Sequence, residues 1–254
     1  MNTAGRRDVV LLHGWLMGPN LWDTQLSALG NVANLHALAA PAHGTPGPPE
    51  AFTMAAWADL VVAELDQRSI DRAIIVGHSM SGWLSQQIWR DHPGRVLGLG
   101  LVGIAARSAT PDEAEQFKEL GRRCATEWRP IAPGLAELLV GEKYLAANPG
   151  WVEHWIDHVE RRFDLPGMAP LTAAVAERPD YTPTTSQIDV PTMVIHGADD
   201  RAIPVEMGRD LAGIVPAATL VVVPDCGHAP PIDQPDAVTD AIRTLIEQVV
   251  ANVG

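Results

Sequence analysis

Ala73-Ile74-Ile75-Val76-Gly77-His78-Ser79-Met80-Ser81-Gly82 reads as a buried strand that runs without a break into a helix. Three consecutive β-branched residues make the strand, and the small residues that follow make the turn. Gly77 stands two residues before Ser79 and Ser81 two residues after it. A strand-to-helix turn this sharp crowds its own flanks, so both positions must be small. Such a turn holds the Ser79 hydroxyl clear of the sheet, at the positive end of a helix. A helix-capping serine is the bland alternative.

Outward from this turn, short β-branched runs alternate with longer amphipathic segments. Strands are predicted over 8–12, 33–38, 72–76, 96–102, 192–196 and 219–223. Helices are predicted over 20–29, 53–68, 79–91, 204–214 and 235–250. Right-handed crossovers place those helices on both faces of a mostly parallel, doubly wound α/β sheet. The alternation stops between Ile104 and Ile188, where helical segments are read over 111–128, 134–147 and 151–163 among eight prolines. A structureless loop of that length is implausible in a compact domain. The division expected is therefore a core of residues 1–104 and 188–254, with a helical cap of residues 105–187 inserted over the sheet's C-terminal edge.

Three further loops fall at that same edge. Leu11-Leu12-His13-Gly14-Trp15 closes the first strand, and a sharp turn there can aim the Trp15 N–H at the point reached by the Met80 N–H. Two such donors form an oxyanion hole, in which each is worth about 3–4 kcal/mol to the transition state. His13 and Gly14 are read as holding that loop. Val194-Ile195-His196-Gly197-Ala198-Asp199-Asp200 leaves a late strand with two adjacent carboxylates. Val221-Val222-Val223-Pro224-Asp225-Cys226-Gly227-His228 follows the last strand and brings up an imidazole. Serine as nucleophile, aspartate as orienting acid and histidine as base, in that chain order, suit this architecture. Ligands of open α/β sheets bind beyond the carboxyl ends of the strands, where these loops converge.

With 254 residues, 46% hydrophobic and 19% charged, the chain can bury one substantial core. The formal charge of −13 would repel nucleic acid or an anionic membrane. No run approaches the roughly 18 apolar residues of a membrane helix, and the start of the chain lacks the apolar stretch of a secretory signal. Cys124 and Cys226 lack metal-like spacing and read as two reduced thiols of a cytoplasmic protein. His154 and His158, four apart, could share a metal on one helix face, but no third ligand is suggested nearby. Neither metal nor cofactor is predicted. Eight tryptophans are many. Trp128, Trp151 and Trp155 fall in the cap, where they are candidates for lining an apolar substrate pocket or for ordinary packing.

Taken together, His13-Gly14-Trp15, Gly77-His78-Ser79-Met80-Ser81-Gly82, Gly197-Ala198-Asp199-Asp200 and Gly227-His228 resemble, in order and spacing, the α/β-hydrolase superfamily over essentially the whole chain. The His-Gly-Trp turn followed by Asn20-Leu21-Trp22 is similar to the pimeloyl-ACP methyl ester carboxylesterase group. The early first strand and Leu38-Ala39-Ala40 look more like plant methyl esterases and hydroxynitrile lyases. The resemblance implies a serine hydrolase with Ser79, Asp200 and His228 catalytic. Family register favours Asp200 over Asp199, as the third residue after Gly197. Two departures stand out: Ser81 replaces a glycine, and Ala39 or Ala40 occupies a position where many members carry aspartate.

The expected substrate is a small-molecule carboxylic ester, with lactones and thioesters open to the same machinery. Serine at position 79 disfavours aspartate-nucleophile chemistry. Ala229 stands where hydroxynitrile lyases carry lysine. Carbon–carbon bond hydrolysis would need cationic pocket residues, for which Arg107 and Arg122 are the candidates. A triad-bearing ligand sensor is the alternative from outside enzymology.

Overall fold

The computed structural model describes residues 6–253. Residues 1–5 and 254, the outermost parts of the expected core segments, lie outside the described residues. Six parallel strands form one sheet: β1 (Asp8–Leu12), β2 (Asn34–Leu38), β3 (Ala73–His78), β4 (Val96–Val102), β5 (Thr192–Gly197) and β6 (Ala218–Val223). Their spatial order is β2-β1-β3-β4-β5-β6, so the elbow strand β3 is central.

Side chains alternate across each strand and sort into two cores. Val10, Leu12, Ile75, Leu99 and Leu101 join one apolar cluster with Trp57, Leu84 and Leu211. Those partners come from α2 (Met54–Gln67), α3 (Met80–Asp91) and α10 (Val205–Ile214). Val9, Leu11, Ile74, Val76 and Ile195 join the other, with Leu29 from α1 (Asp23–Leu29) and Val238, Ile242 and Leu245 from α12 (Pro235–Val253). Helices thus cover both faces, as a parallel sheet requires. Val9 to Val10 and Ile74 to Ile75 each switch core in one step, so a one-residue slip of either strand would exchange them.

Between β4 and β5 the chain forms α4 (Pro111–Thr126), α5 (Trp128–Leu139), α6 (Glu142–Ala147), α7 (Trp151–Arg162), α8 (Met168–Ala176) and α9 (Thr182–Thr185). The expected single helix over 134–147 is corrected to two. The break falls at Val140 and Gly141, where the Gly141 N–H donates to Asp233 Oδ2 at 2.8 Å and the Leu139 carbonyl accepts from Ala229 N–H at 2.7 Å. The loop after β6, which continues into α11 (Pro230–Asp233), therefore takes the backbone groups that a continuous helix would need. Helix α5 also begins earlier than expected and runs through Pro130, which sits in its first turn where a missing N–H is harmless. Among the described residues no helix is long and apolar enough to cross a membrane.

Candidate active site

Ser79 joins β3 to α3 with φ 52° and ψ −120°, a left-handed conformation that costs a non-glycine residue about 1–3 kcal/mol. The neighbours hold it there: its N–H donates to the Val102 carbonyl at 2.8 Å, and its carbonyl accepts from Gly82 N–H at 2.8 Å. A Cβ at position 77 would overlap the Ser81 carbonyl and the Ser85 hydroxyl, so glycine is required by close approach. Ser81 fits because its hydroxyl finds an acceptor, the His13 carbonyl, at 2.6 Å. The departure from glycine ties the elbow to the turn after β1.

His228 Nε2 lies 2.8 Å from Ser79 Oγ, and its Nδ1 lies 2.8 Å from Asp200 Oδ2. Both His228 and Asp200 are buried. Asp200 Oδ1 accepts from the Ala202 and Ile203 N–H groups at 2.9 and 2.8 Å, which fixes the carboxylate in one orientation. His196 Nε2 faces both Asp200 Oδ2, at 3.2 Å, and the Ile203 carbonyl, at 2.8 Å. Burial alone would push the Asp200 carboxyl up. The opposing imidazole of His228 and the hydrogen bonds from His196, His228 and Ile203 outweigh it and hold the group well below the usual carboxylate range. Asp199 is exposed to solvent, with its N–H bonded to the Cys226 carbonyl.

The turn after β1 lies against the elbow. A Cβ on Gly14 would run into the His78 ring and sit 3.3 Å from Ser79 Cβ, so only glycine lets the Gly14–Trp15 peptide approach the serine. His13 braces the turn: Nδ1 donates to the Gly14 carbonyl at 2.9 Å and Nε2 accepts from Ala40 N–H at 3.0 Å. One of the two alanines at the aspartate position therefore contributes backbone rather than side chain. Met80 opens α3, so its N–H is among those with no partner inside the helix. His78 is buried beneath the serine, with Nε2 donating to the His228 carbonyl at 2.7 Å.

Ser79 and His228 line a cavity of about 400 Å³ together with Trp15, Trp83, Phe117 and Leu135. This volume suits a small ligand. Trp128, Trp151 and Trp155 are not among its lining residues. They pack on one another instead, Trp155 with its ring centroid 5.4 Å from Trp128 and 6.0 Å from Trp151. The Trp155 indole N–H donates to the Leu16 carbonyl at 3.0 Å, which pins α7 to the β1 turn. Trp151 and Trp155 border a separate cavity of about 290 Å³. Trp83 and Phe117 are aromatics that sequence reasoning missed, although Trp83, four residues after Ser79 on one helix, lies on the same face. Arg107 reaches the cavity, whereas Arg122 is exposed and paired with Glu115 and Glu119. Among the described residues, no group of three or more His, Cys, Asp or Glu side chains is placed to hold a metal ion.

A parallel α/β sheet with a serine elbow on its central strand, and an imidazole and a carboxylate delivered to it by the last two strand ends, defines a class of architecture. The chain belongs to the Alpha/beta hydrolase family, whose model matches residues 9–241. Among curated proteins it is similar to a pimeloyl-[acyl-carrier protein] methyl ester esterase of Aromatoleum aromaticum, 29% identical, with 96% of this chain and 98% of that protein covered. Among solved structures it is similar to a thermophilic esterase from Thermogutta terrifontis, at 28% identity and TM-score 0.89, covering 96% of this chain and 90% of that one. An enol-lactonase from Burkholderia xenovorans LB400 shares the fold at TM-score 0.88 and 23% identity, over 97% and 92% of the two chains.

Proposed function

We propose that this protein is a serine hydrolase that cleaves a small or medium carboxylic ester through an acyl-enzyme on Ser79. The observation that carries the reading is the unbroken line of hydrogen bonds from Ser79 Oγ through His228 to Asp200, at the wall of a largely apolar cavity. The similarity to esterases supports the ester as substrate class.

Ser79 Oγ attacks the ester carbonyl carbon while His228 Nε2 takes its proton. The carbonyl oxygen becomes an oxyanion facing the Trp15 and Met80 N–H groups. Asp200 holds the Nδ1–H tautomer and stabilises the imidazolium. His228 then returns the proton to the departing alcohol as the C–O bond breaks. Water repeats the sequence through the same base and releases the acid. In this reading residues 105–187 act as a cap over the cavity, to which they contribute Arg107, Phe117 and Leu135. Residence in the cytoplasm belongs to the same proposal and rests on two separate buried thiols in an acidic chain.

Steady-state assays on a panel of p-nitrophenyl esters, lactones and acyl thioesters test the proposal. Sustained turnover with kcat on the order of 1–10³ s⁻¹ on an ester is expected. A single burst that ends in a stable adduct would instead make the chain a ligand sensor.

The same assay separates the two adjacent carboxylates. Asp200→Asn leaves the geometry but loses the charge opposite His228, and kcat is expected to drop by about 10⁴. Asp199→Asn changes a solvent-facing side chain and is expected to stay within about twofold of wild type. Loss of activity in the Asp199 variant alone would overturn the assignment of the acid.

A further inference from the structure

Three arginines line the Ser79 cavity, and their charges are handled differently. Arg107 is neutralised by Glu113, with Nη1 and Nη2 each 2.7 Å from a carboxylate oxygen. Arg201 has Glu142 at 3.8 Å and a bond to the Glu137 carbonyl. Arg178 has no carboxylate partner. Among the described residues no carboxylate lies within 4 Å of it; its Nη1 donates to the Val175 carbonyl at 2.9 Å, and its Nε is buried with no hydrogen-bond partner. Its Cζ sits 3.7 Å from the centre of the Trp83 ring, and Trp83 is itself fixed by an indole N–H bond to the Ala105 carbonyl at 2.9 Å.

The cation is thus oriented rather than free to leave for solvent. Burial pulls its pKa down to about 10, still far above neutrality, so it remains charged at working pH. Glu113 is near enough to act on it but is already bonded to Arg107, and a half-buried cation with no carboxylate of its own is an expensive feature. The indole face offsets only part of this.

We propose that Arg178 and Trp83 form a carboxylate subsite in the Ser79 cavity, so that the preferred ester carries a free carboxylate on its acyl or its alcohol part. The inference rests on the serine-hydrolase reading and narrows its substrate class. A guanidinium meets a carboxylate with two parallel N–H donors, which adds orientation to attraction. The ester carbonyl would be held at Ser79 from its far end, and neutral esters of equal length would lack that anchor.

Two matched pairs test this by kcat/KM: monomethyl adipate against methyl hexanoate, and 4-acetoxybutanoate against butyl acetate. Wild type is expected to favour the acid member of one pair at least tenfold, and which pair tells the side that carries the carboxylate. In Arg178→Gln the acid-to-neutral ratio should fall to near one, with Arg178→Lys between. A purely structural arginine would lower both members alike and leave the ratio unchanged. No preference in either pair, or a preference that survives Arg178→Gln, overturns the proposal. Should the variants misfold, inhibition of wild-type methyl hexanoate hydrolysis decides: adipate is expected to compete at least tenfold better than 1,6-hexanediol, and equal inhibition overturns it. If wild type hydrolyses no ester, the hydrolase reading fails by itself. Calorimetric titration of adipate into wild type and Arg178→Gln then judges the subsite, with equal affinity counting against it.

Discussion

Ser79→Ala is expected to lower kcat for ester hydrolysis by a factor on the order of 10⁶ while leaving thermal stability within about 0.5 kcal/mol of wild type. The first half follows from chemistry: without Oγ, His228 has no hydroxyl to deprotonate and only the binding and oxyanion terms remain. The second half separates a nucleophile from a helix cap. A capping serine loses about 1 kcal/mol on change to alanine, but Ser79 makes no capping hydrogen bond to the first turn of α3. Alanine must still adopt φ 52°, so the backbone strain is unchanged. Ser79→Gly removes that strain and is expected to be as inactive yet more stable, by about 1 kcal/mol. Urea denaturation beside the ester assay checks both variants. Near-wild-type turnover in Ser79→Ala, or a clear loss of stability with turnover intact, would return the residue to a structural role.

The parts legible in the sequence are those fixed by the sheet. Ser79, Asp200 and His228 lie in the loops that leave the ends of β3, β5 and β6, and β-branched runs mark strand ends to within a residue or two. Side-chain direction in the helices between β4 and β5 was not legible. Trp128, Trp151 and Trp155 turn into a packed cluster because α7 is tied to the β1 turn by one indole bond to Leu16, a contact between residues 139 positions apart. Helix α8 is hidden in the sequence for a different reason. Leu171, Thr172, Ala174, Val175 and Ala176 are all buried, so it has no polar face to set a period. Pro170, which reads as a breaker, lies in its first turn where proline is tolerated. Arg178 has no signature of its own. Its place beside Trp83 depends on how α8 packs, and spacing along the chain carries no trace of that.

Lowering the pH from 7 to 5 is expected to cost the fold about 5 kcal/mol of stability, and the residues responsible are three buried histidines around Ser79. His13 and His43 each use Nε2 as an acceptor, from Ala40 N–H at 3.0 Å and Leu16 N–H at 2.9 Å, while Nδ1 donates to a carbonyl. Protonating Nε2 would set two donors face to face. Their ring centroids are only 4.8 Å apart, so charging one also opposes charging the other. His78 donates through Nε2 to the His228 carbonyl and keeps Nδ1 buried without a partner. Burial comes first among the causes in all three. It takes His13 down to about 4 and His78 to about 3 from an ordinary 6.5, and His43 well below its usual value, where the neighbouring His13 adds to the effect.

Each folded value is depressed, so below about pH 6.5 the unfolded chain binds the protons and the folded one refuses them. Stability is whole above that pH and drains as pH falls, by about 1.4 kcal/mol per pH unit for each histidine. For His13 alone the loss reaches about 3 kcal/mol by pH 4. Three such groups together rival the roughly 5–15 kcal/mol that holds a domain folded. Asp233 works the other way: burial raises its carboxyl, so as pH falls the folded state takes up a proton there before the unfolded chain does and opposes the loss. Urea midpoints measured between pH 7.5 and 5 should therefore be level above 7 and fall steeply below 6.5. His43→Gln, which can still accept from Leu16 N–H but cannot be charged, should remove about a third of the slope. A flat profile down to pH 5, or an unchanged slope in that variant, would mean the imidazoles can be charged where they lie. All three brace the turns that carry Ser79 and Trp15, so loss of the fold takes the hydrolytic site with it.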